Sequence, residues 1–425
     1  MDQDPKDYIY DWNEVDRRHP PFGRVELFDE TLRDGLQNPS VRDPPIEDKL
    51  ELLGLIDSLG IHAVNVGLPG SSRRAFDDSL RLCQEIVGRR LRVRPAAAGR
   101  TVVSDLLPMV EVSQRAGVAV EVYTFIGSSP IRLYAEGWDL PALLKHSADA
   151  IDVGVKNNLP VSYVTEDTIR SRPEVLSALF KNAVDHGAGR LCLCDTVGHA
   201  TPDGVRNLVR FTRSLLASFG ASHVKLDFHN HNDRGLGLVN ALVAVEEGVD
   251  RVHGTALGIG ERVGNTAMEL LLLNLKLAGA LEGQDLTALL RYCETASRAV
   301  GHKIPNNYPL CGADAFRTST GVHAAAIVKA HAKGDAWLAD RIYSGVPAGM
   351  FGRAQEIEIG PMSGASNVHA WLRAHGLQGD QGLVQALLQH AKGTPHVLSE
   401  PEVLGAIERY RAGVVAGGDE GGGAT

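Results

Sequence analysis

Between residue 24 and about residue 281 the chain alternates, eight times over, a short apolar or β-branched run with an amphipathic helical pattern. The runs are "RVELFDE", "HAVNVGL", "LRVRPAAA", "VAVEVYTF", "LPVSYVT", "GRLCLCDT", "HVKLDFHN" and "DRVHGTAL". Between them stand helical stretches such as "IEDKLELLGLIDSLG", in which Leu52, Leu55, Ile56 and Leu59 recur at helical spacing. Gly60, Gly117, Gly187, Gly220 and Gly248 each close a helix pattern just before the next strand. There a left-handed helix stop carries no Cβ clash. Pro45 and Pro202 stand near helix starts, where a missing N–H is harmless. Eight successive strand–helix units predict an α/β chain folded as a parallel (β/α)8 TIM barrel rather than an open sheet.

The barrel is expected over 24–285, after an N-terminal extension of residues 1–23. Past 285 the rhythm changes. "LTALLRYCETASRAVGHKIP" and "GVHAAAIVKAHAKGDAWLADRIY" read as helices, "SGVPAGMFGRAQEIEIGPMSGASN" as loop, and Val368 to about Tyr410 as a last helical stretch. These form mainly helical C-terminal subdomains over 286–412, ahead of a glycine-rich tail, 413–425, too poor in apolar residues to pack.

The formal net charge is −9, and no block of lysine and arginine is present to follow a phosphate backbone, which speaks against nucleic acid as a partner. No apolar run approaches the roughly 20 residues a membrane helix needs. The acidic, polar start "MDQDPKDYIYDWNEVD" reads as neither signal nor transit peptide. Five cysteines are few for 425 residues and read as reduced thiols in a cytoplasmic protein. Cys192 and Cys194, at strand spacing, are expected to pack in the core.

In a barrel of this kind the carboxyl ends of the strands face the active-site mouth. "LFDETLRDGLQNPS" follows the first strand and concentrates Asp29, Glu30, Arg33, Asp34 and Gln37; alone, such a run is usually a solvated loop. "FHNHND" ends the seventh strand and sets His229 and His231 two residues apart, on one face of an extended chain. "GIGERVGN" follows the eighth; its glycines allow close backbone approach to a ligand, and Asn265 ends it. Two neutral imidazoles, a carboxylate and an amide oxygen suit a divalent ion that keeps open positions.

These segments carry a resemblance. "DETLRDGLQ", "DTVGHATP", "FHNHNDRGLGLVN", "GIGERVGN" and "TSTGVHAAAIVK" resemble the isopropylmalate synthase and homocitrate synthase family, within the metal-dependent barrel superfamily that includes hydroxymethylglutaryl-CoA lyase. The resemblance runs from about residue 24 to 370. It implies Asp34, His229 and His231 as metal ligands, with Asn265 a fourth or nearby group, for Mg, Mn or Zn. It implies Arg33 as the stabiliser of an enolate or alkoxide oxygen, with Glu166 near the reacting groups. Thr196 would bind the 2-oxo acid carboxylate, Gln37 would line the same pocket and Leu133 would stand at the substrate's distal end. Gly258, Gly260 and Glu261 are expected on the cofactor side, with acetyl-CoA as co-substrate. His323 is the implied base and Tyr343 its assistant; a lone histidine there would otherwise read as structural. The implied activity is an acyltransfer condensing acetyl-CoA, or a close acyl-CoA, with a metal-bound 2-oxo acid to an alkylmalate such as 2-isopropylmalate, in a homodimer whose C-terminal region covers the site. Lyase-type cleavage and a non-catalytic metal-binding homologue are the alternatives.

Some positions depart from that pattern. Asn65 in "VNVGLPG" stands where the family has a glutamate that orients the arginine. Leu36 in "RDGLQN" is closer to the lyases, Tyr123 replaces a histidine, and "IGPMSGASN" replaces "GKHSGR". Homocitrate synthases carry an arginine close to position 133; Arg132 is one place off, which favours an apolar over a dicarboxylic 2-oxo acid. Without a further module of about 120 residues, leucine feedback of the usual type is not expected.

Overall fold

The computed structural model describes residues 8–15 and 22–417; most of the glycine-rich tail lies outside them. The chain forms two compact units, one of Asp16–Ile304 and one of Met1–Val15 with Pro305–Thr425.

In the first unit all eight expected runs become strands: β1 Glu26–Asp29, β2 Ala63–Asn65, β3 Arg94–Arg100, β4 Glu121–Gly127, β5 Val161–Glu166, β6 Arg190–Asp195, β7 Lys225–Asn230 and β8 Arg251–Gly254. Each pairs in parallel with its sequence neighbour, and β1 pairs with β8, closing the barrel. The helices are α1 Ile46–Ser58, α2 Arg73–Arg89, α3 Val103–Ala116, α4 Pro130–Glu136, α5 Leu140–Lys156, α6 Pro173–Asp185, α7 Pro202–Ser218, α8 Gly237–Glu246, α9 Met268–Leu277 and α10 Leu289–Val300. On α1, Leu52, Leu53 and Ile56 are wholly buried, each contributing roughly 1.5–3 kcal/mol by leaving water. The expected helix stops hold: Gly60, Gly117, Gly187, Gly220 and Gly248 all take positive φ, from 70° to 93°. Ser72 and Thr201 cap α2 and α7 through their hydroxyls.

The α10 helix lies beyond the alternating part of the sequence, yet it fastens the barrel. Its buried Tyr292 donates to Asp29 Oδ2 at 2.5 Å, at the end of β1. Arg42, ahead of α1, donates to the Arg298 and Ala299 carbonyls near the C-terminal end of α10.

Alternation along each strand fills the barrel interior in tiers. The lowest tier is ionic rather than aliphatic. Arg251, wholly buried, reaches Asp227 Oδ2 at 3.0 Å and Glu121 Oε1 at 2.7 Å. Arg190 reaches Asp227 at 2.6 Å and Glu26 at 3.3 Å. Above it Phe28, Ala63, Ala96, Tyr123 and Cys192 form an apolar layer. Phe28 and Tyr123 stack at 4.9 Å, with the Arg251 guanidinium 5.0 Å from the Phe28 ring. Two residues further along β1, β7 and β8 stand Glu30, His229 and His253, at the mouth.

The second unit is mainly helical, with α11 Gly321–Ala332, α12 Ala336–Ala339, α13 Ala365–Ala374, α14 Gln381–Lys392 and α15 Glu400–Gly417. Two short parallel strands, β9 Arg317–Thr318 and β10 Glu356–Ile357, lie before and within the stretch read as loop. The last helical stretch is made of three helices. Gly376, at φ 66°, ends the first, and Asp380 caps the second through its carboxylate. Ile359, Trp371, Leu387 and Val403 close a core among them.

Candidate metal centre and active-site cavity

At the mouth of the barrel, Asp34 Oδ2 lies 3.2 Å from His229 Nε2 and 3.6 Å from His231 Nε2, and the two Nε2 atoms are 3.3 Å apart. All three side chains are buried. An ion bonded at about 2.1 Å to each of three donors spaced between octahedral and tetrahedral angles would hold them about 3.0–3.4 Å apart; two edges of the triangle fall in that range and the third, at 3.6 Å, lies just beyond it. Asp34 Oδ1, His231 Nδ1 and Asn265 Oδ1 are buried with no hydrogen-bond partner, a state that ordinarily signals a missing ion or water. The donor set therefore fits a divalent cation. Among the described residues one other cluster, Glu30, His229 and His253, has comparable spacing. Its Glu30 is already spent on Arg33, at 2.7 Å.

Electrostatics prepares the triangle. Burial opposes ionisation of Asp34, but Arg33 and then His229 outweigh it and hold the carboxyl well below the usual range. Burial pushes His231 down to about 4, so its ring is neutral and its lone pair is available near neutral pH. Arg33 stays charged: burial works against it, and Glu30 and Asp34 more than compensate.

Local chain geometry sets these groups. Asp34 follows a tight turn in which Arg33 and Gly35 both donate to the Glu30 carbonyl. His231 pairs with Asn265 in an isolated antiparallel bridge, and Asn265 Nδ2 donates to the Ile259 carbonyl at 3.1 Å. Gly260, at φ 153°, lets Asn265 approach so closely that a Cβ would sit 2.0 Å from its amide nitrogen and 3.4 Å from Asp34 Oδ1. A Cβ on Gly264 would lie 1.8 Å from the Gly258 carbonyl. The glycines thus serve packing within the loop, and of the three cofactor-side residues only Glu261 lines the cavity.

The cavity encloses about 270 Å³. Arg33, Asp34, Gln37, Glu166, Thr196, His229 and His231 all line it. Gln37 accepts weakly from Arg33, at 3.4 Å. Thr196 accepts the Asp167 N–H at 2.8 Å, so its own proton is not spent there. Burial raises the Glu166 carboxyl, with Arg132 opposing from 3.4 Å. Leu133 is half-buried on α4 and does not line the cavity; its neighbour Arg132 is turned to Glu166 and Glu136 instead. His323 and Tyr343 belong to the second unit, where their rings stack at 3.9 Å.

Several lining residues escaped sequence reading. Cys192 and Cys194 are buried as expected, but they also form a wall of the cavity with Leu68, Ala98, Phe125 and Val164. Glu30 and His253 also line the cavity, Glu30 just past the end of β1 and His253 within β8. Arg262, at φ 57°, pairs with Asp233 at 2.8 Å and donates to the Thr196 carbonyl, tying the last loop to the sixth.

Fold and cavity together define the class: a closed (β/α)8 barrel that gathers a carboxylate, two imidazoles and a guanidinium at the carboxyl ends of its strands. The chain belongs to the HMGL-like family, whose model matches residues 24–295. It is 30% identical over 311 residues to a 2-isopropylmalate synthase of Pyrococcus furiosus, covering 72% of this chain and 61% of that one. It is 29% identical to the homocitrate synthase AksA of Methanopyrus kandleri, covering 87% of both. The chain thus spans about three-fifths of the Pyrococcus relative's length. Among solved structures, the HMG-CoA lyase of Bacillus subtilis superposes with a TM-score of 0.56 at 22% identity, over 68% of this chain and 96% of that one. The barrel architecture is shared.

Proposed function

We propose that this chain catalyses a Claisen-type condensation of acetyl-CoA, or a close acyl-CoA, with a 2-oxo acid, giving a 2-hydroxy-2-alkyl dicarboxylate and free CoA after thioester hydrolysis. The observation that carries this reading is the Asp34–His229–His231 triangle beside Arg33 in one buried cavity. Its support from relatives is the pair of synthases named above.

A divalent ion held by Asp34, His229 and His231, with Asn265 nearby, would supply Lewis acidity toward the carbonyl of a bound 2-oxo acid. Arg33, charged and only 16% exposed, offsets negative charge that develops on oxygen. Thr196 O–H and Gln37 are available to orient the carboxylate. The acyl-CoA methyl group is a weak carbon acid and needs a base; His323, with Tyr343, takes that role on the strength of the resemblance. The cavity wall of Leu68, Ala98, Phe125, Val164, Cys192 and Cys194 carries no charge. Arg262 is engaged by Asp233 and Arg132 by Glu166 and Glu136. An apolar substituent on the 2-oxo acid therefore fits better than a second carboxylate, and 2-isopropylmalate is the type of product expected.

The test is a free-CoA assay with purified protein, a divalent metal and a panel of 2-oxo acids. Release that depends on an apolar 2-oxo acid is expected. No release across the panel, with cleavage of a 3-hydroxy-3-methylacyl-CoA instead, would replace this reading with the lyase one.

A further inference from the structure

Of the groups around Arg33, one carboxylate holds it most closely. Glu30 Oε2 accepts from Arg33 Nε at 2.8 Å and stands 2.7 Å from the terminal nitrogen on the same side. Behind Glu30 stands His253, close but without a hydrogen bond to it. Glu30 Oε1 lies 3.4 Å from His253 Nδ1, and the opposite ring nitrogen of His253 lies 3.3 Å from Asp227 Oδ2. Asp227 is itself pinned by Arg190 and Arg251. A guanidinium gripped through two nitrogens is fixed in direction as well as in position.

The position beside Glu30 is Asn65. Strands β1 and β2 pair Phe28 with Ala63 and Asp29 with Val64; Glu30, just past the end of β1, and Asn65, the last residue of β2, each come one residue after that last pair. Phe28 and Ala63 both face the interior, and Glu30 and Asn65 share that parity. Neighbouring strands lie about 4.8 Å apart, within the reach of one side chain. Asn65 is wholly buried and lines the cavity; its Oδ1 accepts the Gly67 N–H at 3.2 Å, while its Nδ2 has no partner. A carboxylate at 65 would meet no unpaired cation, because Arg33 is already neutralised by Glu30 and Asp34.

We infer that Glu30 is the positioning residue for Arg33, that it delivers from β1 the charge a glutamate at 65 would deliver from β2, and that Asn65 stays neutral for this reason. The inference rests on the condensation reading only for the part Arg33 plays in turnover. The placement of Arg33 itself does not depend on that reading.

Three full-length variants test it: Glu30→Gln, Asn65→Glu and the double variant. The readouts are turnover of a 2-oxo acid, bound metal, and the Nε–H resonance of Arg33 in nitrogen-15 spectra, assigned by its loss in Arg33→Lys. Glu30→Gln is expected to lower kcat about 10–100-fold, the range for loss of a group that orients a ligand, with metal content unchanged and the Arg33 resonance shifted or exchanged away. Asn65→Glu alone should also fall below the parent, because two adjacent carboxylates then compete for one guanidinium. The double variant should recover at least about 10-fold over Glu30→Gln and restore the resonance. If Glu30→Gln fails to fold, Glu30→Asp keeps the charge but withdraws it by one methylene, and the resonance should still move. An unmoved resonance in Glu30→Gln, or a double variant no better than Glu30→Gln, would overturn the inference. If the parent turns over no 2-oxo acid, the condensation reading fails, yet the resonance still decides where Arg33 gets its partner.

Discussion

A single methyl group separates the loop after β8 from a loop that could not hold its asparagine. Gly260 occupies a backbone region that L side chains rarely enter, and its missing Cβ is the space that Asn265 and Asp34 use. Gly260→Ala is therefore expected to displace Asn265 and weaken divalent-metal binding about 10–100-fold. A metal titration followed by calorimetry checks this; unchanged affinity would detach Asn265 from the centre. At this scale the sequence was informative wherever chemistry sits in a recognisable run. Asp34, His229 and His231 could be read together because "RDG" and "HNH" each mark a strand end. Glu30 could not be ranked above its neighbours, since only the closed barrel shows that it, and not Asp29, points inward. Asp29 points to Tyr292 instead.

That outward carboxylate is an element-scale device, joining β1 to α10. Burial, opposed by the hydrogen bonds from Tyr292 and Thr31, pushes the Asp29 carboxyl up to about 6. The unfolded chain releases this proton near its ordinary value of 3.8, so the native state binds an extra proton between the two. The stability gained is present in full below 3.8 and is lost as pH rises through about 6, a difference worth roughly 3 kcal/mol. Asp29→Asn should remove that slope. Urea midpoints of parent and variant, compared at pH 3.5 and 7.5, should lie closest at the lower value and separate in favour of the variant at the higher. Element existence was well marked in the sequence, because eight apolar runs alternated with helical patterns and five glycine stops fell between them. The division of residues 365–417 into three helices was not read from the sequence; it rests on Gly376 at the end of α13 and on Asp380 capping α14.

Across the whole molecule, charge is distributed in depth. The ionic floor of the barrel relies on Arg251, which is wholly buried against Asp227 and Glu121. Removing one member of such a group strands its partners; Arg251→Met is expected to cost about 3–5 kcal/mol in chemical denaturation. The composition hid this floor, since Glu26, Arg94, Glu121 and Arg190 each look like an ordinary surface charge at a strand start. The proposed role of His323 as base yields a separate expectation. His323→Ala should leave bound metal and 2-oxo acid affinity at parental values and lower CoA release about 100–10,000-fold. A parental rate would remove His323 from the reaction.

The placement of Glu30 and Asn65 at the ends of neighbouring strands has a consequence for how relatives of this chain are sorted. A comparison that scores one column at a time records a missing acid at 65 and suggests a dead enzyme. On the inference above, the same negative charge enters the cavity from Glu30 at the end of the adjoining strand. For barrels of this kind, bookkeeping by inward-facing ring rather than by column is what separates a broken catalyst from one that has merely changed hands.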